Sequence, residues 1–170
     1  EELEIEEAAE EIKEKFLEAV EKRIPEGDVG LLFSGGVDST LIAASLQELG
    51  KEFTAYTSGI QHGNVNAPRD MDWAQEIAEE MDIQLESYEA NLEEVEETLP
   101  RIVDWISSTS VVKNGVALPF HFALKNSKEE EQVIMSGLGS EQRYAGYNRK
   151  QGYLNKECLS GLRSIFERDL

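Results

Sequence analysis

The sequence has little that could cross-link it or hold it in a membrane. It contains one cysteine, Cys158, and two histidines among 170 residues. One cysteine cannot close a disulfide within the chain, and so few cysteines and histidines do not supply the four ligands of a usual structural zinc site. No apolar run approaches the roughly 20 residues of a membrane-spanning helix, and the Glu-rich start lacks the segments of a secretory signal peptide. We therefore expect a reducing, cytoplasmic setting and no membrane partner.

Basic residues are also scarce. The 16 lysines and arginines stand against 35 aspartates and glutamates, which gives a formal net charge of −19. Because an acidic surface repels phosphate backbones, we expect no nucleic acid as a partner. A chain of this length can bury one core of its own. We predict a single domain over residues 1–170, with an N-terminal helix, residues 1–25, packed on it.

The hydrophobic pattern predicts helices that alternate with strands. The predicted strands cover 29–33, 53–57, 83–88 and 132–136. The predicted helices cover 2–23, 38–49, 70–81, 92–99, 102–108, 119–125 and 155–168, with a loop from Ser58, a helix stop near Pro100 and a helix start at Pro119. Trp73, in the helix over 70–81, is expected in the core or at an interface. This alternation predicts an α/β fold, a three-layer doubly wound parallel sheet, which binds ligands at the carboxyl ends of its strands where the strand order reverses.

The most informative stretch covers residues 31–40 and reads Leu-Leu-Phe-Ser-Gly-Gly-Val-Asp-Ser-Thr. An apolar strand ends just before Ser34, and Ser34, Gly35 and Gly36 then form a tight turn. Glycines let the backbone approach a ligand closely, because no Cβ stands in the way. The helix that follows has N–H groups without internal partners and a dipole that favours negative charge. The strand, the glycine turn and the helix start together predict a phosphate site.

Polar side chains at the helix start strengthen this prediction. Ser34, Ser39 and Thr40 supply hydroxyl donors for a phosphate. Asp38 would repel a bare phosphate, so its presence predicts a divalent cation between carboxylate and phosphate. The alternative is an ordinary strand-to-helix turn that is capped by the side chain of Ser34 or Asp38. The whole string favours the phosphate site.

The string differs from two other phosphate-binding patterns. No Lys-Ser or Lys-Thr pair follows the glycines, as the Walker pattern requires, and the turn does not contain Gly-x-Gly-x-x-Gly. It resembles the Ser-Gly-Gly-x-Asp-Ser signature of the ATP pyrophosphatases, which cleave ATP between its α and β phosphates and adenylate a substrate. The resemblance implies an adenine nucleotide alpha hydrolase-like fold and an ATP whose pyrophosphate end lies at the turn.

A second glycine turn narrows the resemblance to the synthetase domain of asparagine synthetase. Residues 135–147 read Met-Ser-Gly-Leu-Gly-Ser-Glu-Gln-Arg-Tyr-Ala-Gly-Tyr. They resemble the family's Ser-Gly-Glu-Gly-(Ser/Ala)-Asp-Glu-x-x-x-Gly-Gly-Tyr stretch. A segment that starts at Asp70 and another that contains Pro119 resemble two further family segments. The resemblance covers residues 28–147, which is most of the chain.

The turn and the resemblance together assign roles to individual residues. The expected ATP-binding residues are Leu32 and Ser58 at the adenine, Ser34, Gly35, Gly36, Asp38, Ser39 and Thr40 at the pyrophosphate, and Ser136 and Gly137 at the nucleoside. Asp38 and Glu141 are the implied catalytic residues and magnesium ligands.

Four features depart from the family pattern. Leu138 stands where the family has a glutamate, and leucine can neither accept a proton nor hold a charge. Glu141 stands where the family has an aspartate. The sequence contains no glutaminase domain, and the family's later catalytic lysine has no counterpart before Leu170. The Ala-Gly-Tyr-x-Arg ending, with Leu138, is closer to the divergent asparagine-synthetase-domain proteins of archaea and eukaryotes.

The main hypothesis is an ATP-dependent ligase that adenylates a small carboxylate, aspartate or a relative, for attack by ammonia. The ammonia would be free or would come from a separate glutaminase, and a complementing subunit or a homo-oligomer is left open. One alternative is a nucleotide-binding subunit without catalysis, which Leu138 favours. Another is a different adenylating enzyme of the superfamily, although the charge of −19 disfavours a tRNA substrate.

Overall fold

A computed structural model describes residues 5–61 and 69–140 of the chain. The elements are α1 (Ile5–Glu21), β1 (Asp28–Leu32), α2 (Val37–Glu48), β2 (Phe53–Ile60), α3 (Arg69–Glu80), β3 (Leu85–Ala90), α4 (Leu92–Ile106), α5 (Val111–Ala123), a 3-10 turn (Leu124–Asn126) and β4 (Glu131–Ser136). The helix predicted over 155–168 lies outside the described residues. Among the described helices, none has the length and apolar character that crossing a membrane requires.

The four strands form one parallel sheet in the order β3-β2-β1-β4. The chain places β1, β2 and β3 side by side and then returns to the other side of β1 for β4. Leu32 is in register with Tyr56 of β2 and with Ser136 of β4. The strand order therefore reverses between β1 and β4, and this creates a switch point at their carboxyl ends.

The first face of the sheet is covered by α1, α2 and α3. Small and branched side chains fill this core, including Leu31 and Ala55 from the strands and Leu46 from α2, all fully buried. Ala74 and Ala78 of α3 are buried in the same cluster. Because alanine leaves room for close approach, α3 can lie directly against the sheet.

The second face of the sheet is covered by α4 and α5. A separate cluster joins Ala90 of β3 to Ile102 of α4 and to Leu118 and Phe122 of α5. Successive residues of a strand point to opposite faces, and helices cover both faces here. The prediction of a three-layer, doubly wound parallel sheet is therefore confirmed.

A charged cluster fastens these second-face helices to β3. Lys125 Nζ lies 2.9 Å from Tyr88 Oη and 3.0 Å from Glu94 Oε1. The same ammonium stacks over the rings of Tyr88 and Phe122, at 4.7 and 5.0 Å from their centroids. Hydrogen bonds from Tyr88, from the Asn91 backbone and from Lys125 lower the pKa of Glu94 to about 2. Glu94 therefore keeps its charge, and its contact with Lys125, far below neutral pH.

The second strand is longer than the sequence predicts. A loop is predicted from Ser58, but β2 continues through Ser58 and Gly59 to Ile60. These residues pair in register with residues 88–90 of β3. Because β3 supplies hydrogen bonds to these residues, strand pairing overrides the low strand propensity of serine and glycine.

Two prolines lie inside helices, although the sequence predicts that a helix stops near Pro100 and that another starts at Pro119. Helices α4 and α5 run through Pro100 and Pro119 without interruption. A proline inside a helix removes one N–H donor, which leaves the carbonyl four residues earlier without its helical partner. Those carbonyls belong to Glu96 and Gly115, which are exposed, so water can supply the missing donor.

The chain divides into two compact units, with the boundary after Ser136. The first, Glu1–Ser136, holds all the helices and strands given above. In the second, Gly137–Leu170, the described residues form a tight turn in which the Ser140 N–H and Oγ donate to the Gly137 carbonyl at 3.4 and 2.7 Å. The single domain over residues 1–170 stays a prediction.

Candidate functional site

The glycine turn lies at the switch point of the sheet. Phe33 extends the ladder of β1 by donating its N–H to the Tyr56 carbonyl at 2.8 Å, and Ser34 then leaves the sheet toward α2. On the other side of β1, β4 ends at Ser136, the register partner of Leu32. Ligands of open parallel sheets bind at such a point, so the turn occupies the place where a ligand is expected.

Gly35 is the tightest position in the turn. Its φ is +69°, which glycine adopts without strain. An added Cβ would lie 2.9 Å from Trp73 Cδ1, 3.0 Å from the Trp73 carbonyl oxygen and 3.1 Å from Ala74 Cα. Gly35 therefore satisfies both a backbone conformation and a close approach of α3.

The start of α2 presents backbone amides without helical partners. The first helical hydrogen bond runs from the Thr40 N–H to the Gly36 carbonyl at 3.0 Å. The N–H groups of Val37, Asp38 and Ser39 precede it and have no acceptor within the helix. The N-cap residue Gly36 has no side-chain cap hydrogen bond, so this stretch lacks the cap that an ordinary strand-to-helix turn would use. The arrangement can therefore bind an anion.

Serine hydroxyl groups hold the turn in shape. Ser39, which is 4% exposed, accepts the Ser34 N–H at 3.3 Å and donates to the Gly36 carbonyl at 3.1 Å. The hydroxyl of Ser34 lies 3.3 Å from that of Ser39 and accepts the Gly36 N–H at 3.3 Å. Ser34 is exposed, and its long bonds leave it able to turn toward a ligand. Thr40 Oγ1 is buried and has no partner among the described residues.

Asp38 lies in the first turn of α2 and is partly exposed. The described part of the chain holds no group of three or more His, Cys, Asp or Glu side chains that could bind a metal. Magnesium in nucleotide sites needs only one or two carboxylates in addition to phosphate oxygens, so Asp38 fits such a role. The other predicted ligand, Glu141, lies outside the described residues.

The predicted adenine and nucleoside contacts share one face of the sheet. Leu32 is in register with Tyr56 and Ser136, and Ser58 follows Tyr56 by two residues. Because strand side chains alternate with a period of two, Leu32, Ser58 and Ser136 belong to the same, second face. Ser58 Oγ donates to the Pro119 carbonyl of α5 at 2.7 Å. The hydroxyl proton of Ser58 is therefore already used in a hydrogen bond within the protein.

The second glycine turn is described only in its first residues. Gly137 accepts the hydrogen bonds from Ser140, and the Leu138 side chain is 62% exposed. The roles predicted for Gly137 and Glu141 stay predictions.

Trp73 makes a contact with the glycine turn that the sequence does not predict. It is expected in the core or at an interface, but it is 50% exposed, and its Nε1 donates to the Gly35 carbonyl at 3.0 Å. A signal was present, because tryptophan is unusual on the polar side of a helix, here beside Asp72 and Gln75. The partner could not be found from that signal, since Gly35 lies 38 residues away along the chain.

Comparison with known sequences identifies the protein family to which the chain is similar. The sequence model of the asparagine synthase family matches residues 11–164. A Methanocaldococcus jannaschii protein named "Putative asparagine synthetase (glutamine-hydrolyzing) 1" is 29% identical over 175 residues, which cover 97% of this chain and 31% of that protein. The asparagine synthetase (glutamine-hydrolyzing) 1 of Bacillus subtilis is 29% identical over 120 residues, covering 71% of this chain and 18% of that protein. The chain thus spans less than a third of each of these relatives.

Comparison with solved structures supports the fold. The NMN synthetase of Francisella tularensis superposes with a TM-score of 0.50 and 20% identity, over 86% of this chain and 60% of that one. With the parallel sheet and its flanking helices, this likeness confirms the adenine nucleotide alpha hydrolase-like fold. Since the family model matches residues 11–164, the chain belongs to the asparagine synthase family.

Proposed function

We propose that this domain binds Mg-ATP at the glycine turn and adenylates a small carboxylate, aspartate or a relative, for amidation. Family membership supports the use of ATP. The observation that carries the proposal is the row of amide donors at the start of α2, with Asp38 beside them, at the switch point of the sheet. Donors of this kind bind phosphate oxygens, and a carboxylate among them is useful only if a cation comes with the phosphates.

In the proposed reaction, an oxygen of the substrate carboxylate attacks the α-phosphorus of ATP. The bond from that phosphorus to the bridging oxygen of the β-phosphate breaks, and pyrophosphate leaves with the electron pair. The N–H groups of Gly36 and of the first turn of α2 would stabilise this charge, because the fold fixes their positions before the reaction begins. Asp38 would hold magnesium, which would supply further positive charge there. Ammonia then attacks the acyl carbon, AMP departs with the C–O electron pair, and the nitrogen loses one proton to solvent to give the amide.

The names of the relatives suggest a source for the nitrogen. The two relatives named above carry glutamine hydrolysis in their names, and the present chain spans only part of their length. We propose that ammonia reaches the site either free or from a glutaminase.

A second candidate is a nucleotide-binding domain that does not catalyse ligation. Leu138 favours it, because the side chain is 62% exposed and offers neither a charge nor a proton where asparagine synthetases have a glutamate. In this second candidate, the glycine turn binds ATP or AMP, and a partner protein responds to whether the nucleotide is bound. A third candidate, adenylation of a different acceptor by the same site, differs only in the substrate.

Calorimetry and pyrophosphate release, measured on the same samples, separate these candidates. Wild type, Asp38→Ala and a control, Asp104→Asn, would be titrated with ATP in magnesium and assayed with aspartate and ammonia. Asp104 is an exposed carboxylate on α4. We expect Asp38→Ala to bind at least about tenfold more weakly, the effect of losing one charge-assisted contact, and Asp104→Asn to bind as wild type does.

The outcomes assign the function. Pyrophosphate release that depends on aspartate and on Asp38 would establish the adenylating ligase. Binding without release would leave the nucleotide-binding domain, and release with other carboxylates but not aspartate would identify the third candidate. A wild-type protein that binds no ATP would refute the proposal.

A further inference from the structure

The Gly35–Gly36 peptide joins two glycines, and a side chain from outside the turn holds its carbonyl. Neither of its residues has a Cβ, so rotation of this peptide plane meets little steric resistance. Trp73 Nε1 donates a hydrogen bond of 3.0 Å to the Gly35 carbonyl. Gly35 is buried against α3, and an added Cβ would lie within 3.1 Å of three atoms of Trp73 and Ala74.

The orientation of this peptide decides what the turn offers to an anion. In a planar trans peptide, the C=O and the N–H point in opposite directions, and the described residues contain no cis peptide bond. Because Trp73 holds the Gly35 carbonyl on the side of α3, the Gly36 N–H points the other way. On that side, the hydroxyl of Ser34 accepts it at 3.3 Å, a long hydrogen bond that a phosphate oxygen can displace.

Rotation of the peptide would reverse this polarity. The Gly35 carbonyl oxygen would then face the anion, and the Gly36 N–H would face α3. A carbonyl dipole repels a phosphate, whereas an amide dipole attracts it. The single hydrogen bond from Trp73 therefore favours the orientation that can bind an anion.

We propose that Trp73 is a positioning residue of the phosphate site, which fixes the Gly35–Gly36 peptide so that an amide and not a carbonyl faces the pyrophosphate. This inference rests on the proposed function, because it names the control of the same site. The ring itself touches no phosphate in this proposal. Its indole N–H acts through the backbone, and its exposed half, with 50% of the residue accessible, makes it sensitive to what binds beside it.

Phenylalanine at this position tests the hydrogen bond separately from the ring. Trp73→Phe keeps an aromatic ring against Gly35 and removes the N–H donor. The control is Trp105→Phe, because Trp105 is 59% exposed on α4 and its ring lies under Arg101. Each full-length variant would be titrated with magnesium pyrophosphate, ATP and adenosine, and its folding would be checked by thermal melting.

We expect Trp73→Phe to bind magnesium pyrophosphate and ATP about fivefold more weakly, the effect of one neutral hydrogen bond. Adenosine binding should not change, because adenosine carries no phosphate for the turn to hold. A ring that only stabilised the fold would lower the melting temperature and weaken all three ligands alike. Trp105→Phe should bind all three as wild type does.

Fluorescence gives a second test that does not depend on the folding of Trp73→Phe. The chain has two tryptophans, so Trp105→Phe leaves Trp73 as the only emitter. We expect magnesium pyrophosphate at saturation to shift or quench its emission. If the wild type binds pyrophosphate but Trp73→Phe binds it equally well, or if the emission does not change, the positioning role is wrong and the proposed function stands. If the wild type binds neither pyrophosphate nor ATP, both proposals fail.

Discussion

Helix α2 has a glycine with positive φ at each end, and the two ends differ in what surrounds them. Gly35, before the helix, has φ +69°, and Gly50, after it, has φ +65°. The Gly50 N–H donates to the Gln47 carbonyl and the Lys51 N–H to the Leu46 carbonyl, both at 2.9 Å. This pair of bonds is the Schellman motif. An added Cβ on Gly50 would meet nothing within 4 Å.

The two ends of α2 show two different reasons why a position beside a helix requires glycine. At the end of α2, only the backbone conformation requires it, and the helix closes on itself through its own carbonyls. At the start, α3 lies against Gly35, and the amides beyond it are left without helical partners. A helix that is complete at one end and incomplete at the other is expected where the incomplete end binds a ligand.

The largest effect is expected from Gly35→Ala. A Cβ there would push on Trp73 and Ala74 and would force a left-handed conformation on alanine. Together these should cost about 3 kcal/mol of unfolding free energy. We also expect ATP binding to be lost, because the turn must move. Urea denaturation and calorimetry would measure the two quantities, and a variant that keeps wild-type affinity would contradict the close fit of α3 on the turn.

Asp38→Asn should have the next largest effect, and its sign should depend on magnesium. With magnesium, the loss of the carboxylate should weaken ATP binding by about tenfold, the effect of one charge-assisted contact. Without magnesium, the same change removes a charge that repels the phosphates, so ATP should bind at least as well as to wild type. Titrations with and without the cation would measure both. An equal loss of affinity under both conditions would show that Asp38 acts on the fold and not through a cation.

The start of α2 was predictable from sequence because its signals are local. An apolar strand, two glycines and a polar helix start fit within residues 31–40, and the structure has each of them in that order. The register of β2 was not predictable in the same way, because Ser58 and Gly59 favour a loop until β3 pairs with them. The contact of Trp73 with Gly35 depends on how α3 packs on the first face, which no short pattern in the sequence encodes.

The ends of the helices also show that local sequence signals predict structure only where no distant contact overrides them. The helix predicted over 38–49 ends just before Gly50, and the Schellman bonds of Gly50 and Lys51 confirm that end, because a glycine after an apolar helical pattern acts within one turn. Pro100 and Pro119 gave equally local signals that were wrong. Two features override them: Glu96 and Gly115, whose carbonyls the prolines leave unpaired, are exposed residues, and α4 and α5 pack on each other and on the sheet.

Two buried serines of α2 sharpen the comparison between the helix start and its interior. Ser39 Oγ accepts the Ser34 N–H and donates to the Gly36 carbonyl. Ser45, 3% exposed, donates to the Leu41 carbonyl at 2.8 Å within the same helix. Ser39→Ala should weaken pyrophosphate binding about fivefold, since it frees the turn. Ser45→Ala should leave binding unchanged, because the Leu41 carbonyl keeps its helical partner. Calorimetry on both variants would measure this, and equal effects would remove the special role of the helix start.

Gly50→Ala should have the smallest effect and completes the comparison. Alanine fits the space but not the φ of +65°, and the left-handed strain should cost about 1 kcal/mol of unfolding free energy. For a chain of this size, that corresponds to a melting temperature lower by about 3 °C. ATP affinity should not change, because the Schellman end closes only the helix. If Gly50→Ala weakened ATP binding as Gly35→Ala does, the two glycines would act alike. Loss of the phosphate site could then be attributed to damage anywhere along α2, and the close approach of α3 would no longer be needed to explain it.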